Sequence, residues 1–69
     1  MSVAEKHALL VHHLRQQGVG CDADPRELVA AVDRAFRLHE GDWWFADEQT
    51  VATWAYAFAF RCRARGIAA

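Results

Sequence analysis

The run Trp54-Ala55-Tyr56-Ala57-Phe58-Ala59-Phe60 decides what this chain can become, because its large and small residues alternate with a period of two. Strict alternation is a strand pattern. No other segment reads as a strand, however, and a lone strand leaves its backbone N–H and C=O groups unpaired. Alanine is the best helix former and a weak strand former. Both ends of the run are also helical in character. Asp47 suits an N-cap with Glu48 in the first turn, and Arg61, Arg63, Arg65 and Gly66 put cations and a glycine where a helix C-terminus favours them. The sequence predicts a helix over about 47–65.

Two more helices precede it. Ser2 with Glu5 has capping-box spacing and opens a helix over about 3–17, in which Val3, His7, Leu10 and Leu14 share a face with Val11 at its edge. Gly18 closes it, and the stretch to Ala23 reads as a turn. Asp24 then caps a helix with Pro25 at its first position and Glu27 three residues after the cap. That helix is expected over about 25–40. Leu28, Val29, Val32, Ala35, Phe36 and His39 form its apolar stripe, Arg34 and Arg37 its far side, and Gly41 its stop. Short turns between three helices predict an all-α chain, a small three-helix bundle forming a single helical domain over 1–69.

The third helix has more aromatic surface than one core can hide. Val51, Trp54, Ala55, Phe58 and Cys62 share a face, with Tyr56 and Phe60 roughly opposite. A helix that is apolar on two sides is normally covered on two sides. The preceding segment adds three consecutive aromatics, Trp43-Trp44-Phe45, expected in a loop. Trp43, Trp54 and Phe58 are candidates for the core. Exposed rings would form the kind of apolar patch that marks an interaction site. The candidate partner-binding residues are Trp43, Trp44, Phe45, Tyr56 and Phe60, with Asp42, Asp47 and Glu48 as a polar rim that selects a basic partner surface. A protein partner or a second copy forming a homodimer would cover them.

Charge and length limit the alternatives. Eight Lys+Arg against nine Asp+Glu argue against coating nucleic acid or an anionic membrane by bulk charge. Val51 to Phe60 is too short to span a bilayer, and the N-terminus lacks the basic and apolar regions of a signal peptide. Cys21 and Cys62 are too few for a disulfide scaffold, so reduced thiols, both expected to be small buried groups, and a cytoplasmic location are expected. His7, His12, His13, His39, Cys21 and Cys62 could supply metal ligands. In an antiparallel arrangement His7 and His39 fall at one end and the cysteines at the other, so no metal site and no cofactor are expected. His7 and His39 are expected to be partly buried and hydrogen-bonded, His12 and His13 solvated. No nucleophile elbow or phosphate-binding glycine loop is present, which argues against an enzyme and against a small-molecule substrate.

The alternative is DNA binding. Thr50-Val51-Ala52-Thr53-Trp54, followed by Phe58 and a closing Arg-Gly-Ile, resembles the second helix of some helix-turn-helix proteins. The resemblance implies a transcriptional regulator with Val51 and Trp54 in the core and nucleic-acid contacts from Gln49, Thr53, Arg61, Arg63 and Arg65. It covers under a third of the chain, and Gly41 to Ala46 replaces the usual tight turn. The reading favoured by the residues is a small non-enzymatic interaction module of the regulator, adaptor or inhibitor type.

Overall fold

The computed structural model describes residues 1–66, and their regular structure is entirely helical. Four helices follow in order: α1 Val3–Gln16, α2 Pro25–Phe36, α3 Glu40–Phe45 and α4 Glu48–Ala64. The all-α bundle expected from the sequence is present, with one short helix added. Ile67, the last residue of the Arg-Gly-Ile ending, lies outside the described residues.

Local hydrogen bonds explain the starts. The Ser2 hydroxyl accepts from the Glu5 N–H at 3.1 Å, and Glu5 accepts from the Ser2 N–H at 3.0 Å. Asp24 accepts from the Arg26 N–H, with Pro25 in the first turn where its missing donor costs nothing. Asp47 accepts from the Thr50 N–H at 2.8 Å. Each carboxylate or hydroxyl satisfies a helix N–H that has no partner inside the helix.

The ends differ in one place from expectation. α1 closes as a Schellman turn: Gly18 takes φ 76°, the Val19 N–H reaches the Leu14 carbonyl at 2.9 Å, and Val19 and Leu14 are both buried. α2 closes the same way but four residues before the expected limit. Arg37 adopts φ 54° and the Leu38 N–H bonds the Asp33 carbonyl at 2.9 Å. Left-handed backbone at a non-glycine residue costs about 1 kcal/mol. The Asp33 bond and the packing of Leu38 against the core offset it. His39 therefore leaves the α2 stripe, and Gly41 lies inside α3 instead of stopping α2. The Trp43-Trp44-Phe45 segment is helical, its start fixed by Asp42 accepting from the His39 N–H at 2.7 Å.

One buried cluster joins the elements. Leu10 and Leu14 of α1, Leu28, Val29 and Val32 of α2, Trp43 of α3, and Val51, Ala55 and Ala59 of α4 form it. Lys6 meets Trp43 and Trp44 just before α4 begins, and His13 meets Tyr56 one helical stretch later. α1 and α4 thus run in the same sense. α2 returns between them, with Asp33 near the start of α1 through Trp43. Around α4, Trp54 meets Trp43, Phe58 meets Phe36 of α2, and Tyr56 borders α1. Ala55 and Ala59 lie between these flanks, fully buried where α4 runs along α1. Ala59, absent from the expected stripe, belongs to it because small side chains let two helices approach closely.

Three backbone positions carry a test. A Cβ on Gly20, which has φ 68°, would run into the Leu28 side chain, whereas Gly18 faces open space. Gly20→Ala should lower stability by about 2 kcal/mol from left-handed strain plus the clash, and Gly18→Ala by about 1 kcal/mol. Arg37→Gly should raise it by up to about 1 kcal/mol. Thermal unfolding followed by circular dichroism reads all three. Equal losses at Gly18 and Gly20, or a loss at Arg37→Gly, would contradict these turn assignments.

Candidate interaction surface

The site is built around one tryptophan that is not on the surface. Trp43 is only 2% exposed. Its indole Nε1 donates to the Asp33 carboxylate at 2.7 Å. The ring stands edge-on to His7 at 4.4 Å and to Trp54 at 5.0 Å between centroids. The indole is therefore gripped by α1, α2 and α4 together, and Trp43 does not contribute a face to a partner. Its assignment to the interaction surface is corrected. Burial of a large ring whose one polar group finds an acceptor outweighs exposing it.

Lys6 completes the grip. It is 8% exposed, and its Nζ donates to the carbonyls of Trp43 and Trp44, both at 2.8 Å. These are among the last carbonyls of α3; that of Trp43 also accepts the Ala46 N–H at 3.3 Å, whereas that of Trp44 lies past the last regular bond of so short a helix. An ammonium there satisfies both, and charge-assisted bonds compensate its removal from water. Neither Lys6 nor Asp33 is among the residues that the sequence singles out for a role. A signal is present all the same: Lys6 lies four residues before Leu10 and three after Val3, and Asp33 four after Val29, so each falls within an apolar arc.

With Trp43 held inside, the next two residues are turned outward. Trp44 is 68% exposed and Phe45 86%. On α4, Tyr56 is 49% and Phe60 67% exposed. Four of the five sequence-picked rings are thus at the surface, but the structure does not gather them into one patch. Phe45 lines a shallow recess with His39, Asp42, Thr50 and Trp54, on one side of α4. Tyr56 leans toward His13 of α1 on the other side. Phe60 stands about 18 Å further along the axis than Glu48, at about 1.5 Å per residue.

The residues of the DNA alternative are divided. Gln49, Thr53, Arg63 and Arg65 are exposed. The Thr53 hydroxyl donates back to the Gln49 carbonyl at 2.9 Å. Arg61 is engaged within the fold: its guanidinium donates to the Ala35 carbonyl at 3.2 Å and sits over the Phe36 ring at 5.3 Å. It holds the end of α2 against α4, half-buried rather than free at the surface.

The remaining candidates are scattered. His39 is exposed, contrary to the expected partial burial, because α2 ends before it. His7 is half-buried as expected but its Nε2 has no hydrogen-bond partner, and His13, expected to be solvated, is half-buried with its Nδ1 unpartnered. His12 is exposed as expected. Cys62 packs against the core, whereas Cys21, expected to be buried, is exposed in the α1–α2 turn. Among the described residues no three His, Cys, Asp or Glu side chains converge, and no helix is long and apolar enough to cross a membrane. Comparison with protein-family models, with curated proteins and with solved structures finds no match.

Two cap carboxylates carry a pH dependence. The N–H of Ser2 holds the Glu5 carboxyl below its ordinary value, and the N–H of Thr50 does the same for Asp47, with Lys6 adding a smaller attraction. A carboxyl depressed in the folded state stabilises it above its unfolded value, and that contribution is lost as pH falls through the folded one. Melting temperature should therefore decline on acidification through the carboxylate range. Glu5→Gln with Asp47→Asn should flatten the decline; an unchanged acid slope would show that these caps do not set it.

The Trp43 grip predicts unequal costs. Lys6→Met leaves the Trp44 carbonyl without its donor and the Trp43 carbonyl with only the Ala46 N–H, and should cost about 1–3 kcal/mol. Trp43→Phe removes the bond to Asp33 and should cost about 1–3 kcal/mol. Arg34→Met, at an exposed α2 position, serves as the control and should stay within about 0.5 kcal/mol. Urea denaturation measures all three, and a Lys6→Met variant as stable as Arg34→Met would remove Lys6 from this role.

Proposed function

We propose that this chain is a small non-enzymatic interaction module that binds another protein surface through the aromatic side chains it displays. The observation that carries the reading is the contrast at residues 43–45. Trp43 is fixed by polar and apolar contacts from its neighbours, and the same fixation leaves Trp44 and Phe45 facing solvent. Large rings held outward on a rigid frame lose little conformational freedom on binding, which favours their use as anchors. Tyr56 and Phe60 supply a second exposed pair on α4.

The acidic side chains Glu40, Asp42, Asp47 and Glu48 flank the first pair along the chain and are all exposed. They give that end of the molecule selectivity for a basic surface. The DNA reading has weaker support: with Arg61 occupied, Arg63 and Arg65 are the exposed cations at the end of α4, and two phosphate contacts give little counterion release.

The test separates anchoring from folding. Trp44→Ser with Phe45→Ser, and Tyr56→Ala with Phe60→Ala, should each keep the far-ultraviolet helix signal, because these rings contribute little buried area. Sedimentation of the labelled chain, alone and in a cell extract, should show association for the unmodified chain that one or both pairs of substitutions abolish. Unfolding of both variants, or identical sedimentation of all three chains in every condition, would overturn the proposal.

A further inference from the structure

Three packed rods leave three outer furrows, and α1, α2 and α4 fill two of theirs with their own side chains. Between α1 and α4, His13 lies against Tyr56 with 5.9 Å between ring centroids. Between α2 and α4, Arg61 lies over Phe36 and bonds the Ala35 carbonyl, and the recess left there holds about 150 Å³. The furrow between α1 and α2 is open. Two recesses of about 500 and 470 Å³ share Ala8, Val11 and Pro25 and so form one groove. Its α1 wall runs from Ala4 to Gln16, about 18 Å at about 1.5 Å per residue. Buried Val11 and Val29 lie at its floor, and Ala4, Ala8 and Ala30 at its walls, where a side chain that ends at Cβ leaves the furrow unfilled.

The charged side chains along this groove are Arg15, Arg26 and Asp33. Asp33 is committed to the Trp43 indole, and Asp24, beside Pro25, to the Arg26 N–H. Arg26 stands exposed, and Arg15 gives one N–H to the Ala23 carbonyl at 3.4 Å and keeps its other donors. Glu5 and Glu27 do not line the groove. A visitor therefore meets an apolar floor and two guanidinium groups with donors to spare. We propose that the groove receives a helix of a partner protein whose apolar stripe is flanked by Glu or Asp. This is a second surface, independent of the exposed rings: Ala8 lies about 140° around α1 from His13, which faces Tyr56. The shape selects the class of occupant. A small molecule in so open a furrow keeps much of its surface in water, whereas small-molecule sites bury most of it. An amphipathic helix lays one stripe into such a furrow, and alanines let its axis approach to the ordinary distance of about 8–10 Å. Carboxylates beside that stripe meet the forked donors of Arg15 and Arg26. A nucleic-acid backbone would use the same cations and leave the apolar floor uncovered.

Fluorescence anisotropy with two synthetic peptides tests this. Both carry leucines at helical spacing over about 18 residues, one with Glu beside them and one with Lys. The Glu peptide should bind the unmodified chain about tenfold or more tightly than the Lys peptide. Ala4→Gln with Ala8→Gln fills the groove from two exposed helical positions at little cost to the helix, and should weaken the Glu peptide by about tenfold or more. Arg15→Gln with Arg26→Glu, the latter favourable in a first helical turn, should erase the preference for Glu. Trp44→Ser with Phe45→Ser should leave peptide binding unchanged. In a nitrogen–proton spectrum the Glu peptide should shift the Ala8 and Ala30 amides more than those of Tyr56 and Phe60. Equal affinity for the two peptides, or no binding of the Glu peptide, would overturn the proposal. Shifts confined to α3 and α4 would overturn it too, while leaving the ring-mediated reading in place. Groove amides that move with chain concentration alone, or with a DNA duplex and not with the Glu peptide, would overturn it in favour of a second copy or of nucleic acid.

Discussion

A lysine ammonium inside the fold governs the arrangement of the short α3 segment. Lys6 bonds the Trp43 and Trp44 carbonyls at 2.8 Å while Asp33 bonds the Trp43 indole at 2.7 Å. One bond set fixes the backbone and the other fixes the ring. Together they leave residues 43–45 little choice: as one ring is drawn in, its neighbours on so short a helix must point elsewhere. In a chain of this size, where core burial alone gives a narrow margin of stability, a few such bonds are a large fraction of the total. The exposed Trp44 and Phe45 are thus a consequence of how Trp43 is held, and not of a loosely packed loop.

The alternation along α4 has a related meaning. Trp54 and Phe58 cover α3 and α2, Ala55 and Ala59 let α1 come close, and Tyr56 and Phe60 remain outside. Three neighbours can cover only part of a helix circumference, and α3 is too short to extend the cover to Phe60. Arg61 fills part of the remaining gap with its own stem and guanidinium against Phe36 and the Ala35 carbonyl. A period of two in the sequence therefore becomes, on a helix of about 3.6 residues per turn, a division between a packed side and a displayed side.

Much of this was legible beforehand because it is local. Caps at Ser2, Asp24 and Asp47 and the glycine at 18 act through bonds spanning a few residues, and they placed three helices within a residue or so at most ends. The exposure of Tyr56 and Phe60 followed from helical angles alone. What escaped depended on contacts distant in sequence. The left-handed turn at Arg37 has no glycine to announce it, and it is supported by Leu38 packing on the core. That early stop freed residues 40–45 to form α3, which moved His39 out and Trp43 in. Lys6 and Asp33 are polar residues inside apolar arcs, and their burial makes sense only once the carbonyls and indole they serve are in place. The same dependence explains why the exposed rings, expected as one patch, are split between two sides of α4.

Trp43 is locked inside while Trp44, its neighbour, is held in solvent, and the proposed anchoring through Trp44 and Phe45 starts from that contrast. Hydrogen exchange of the indole N–H groups, read from their separate resonances in a two-dimensional nitrogen–proton spectrum, tests it most directly. The Trp43 indole N–H should exchange only on opening of the fold, and the Trp44 indole N–H should exchange freely. Comparable exchange at the two indoles, or protection at Trp44 in a dilute monomer, would contradict it.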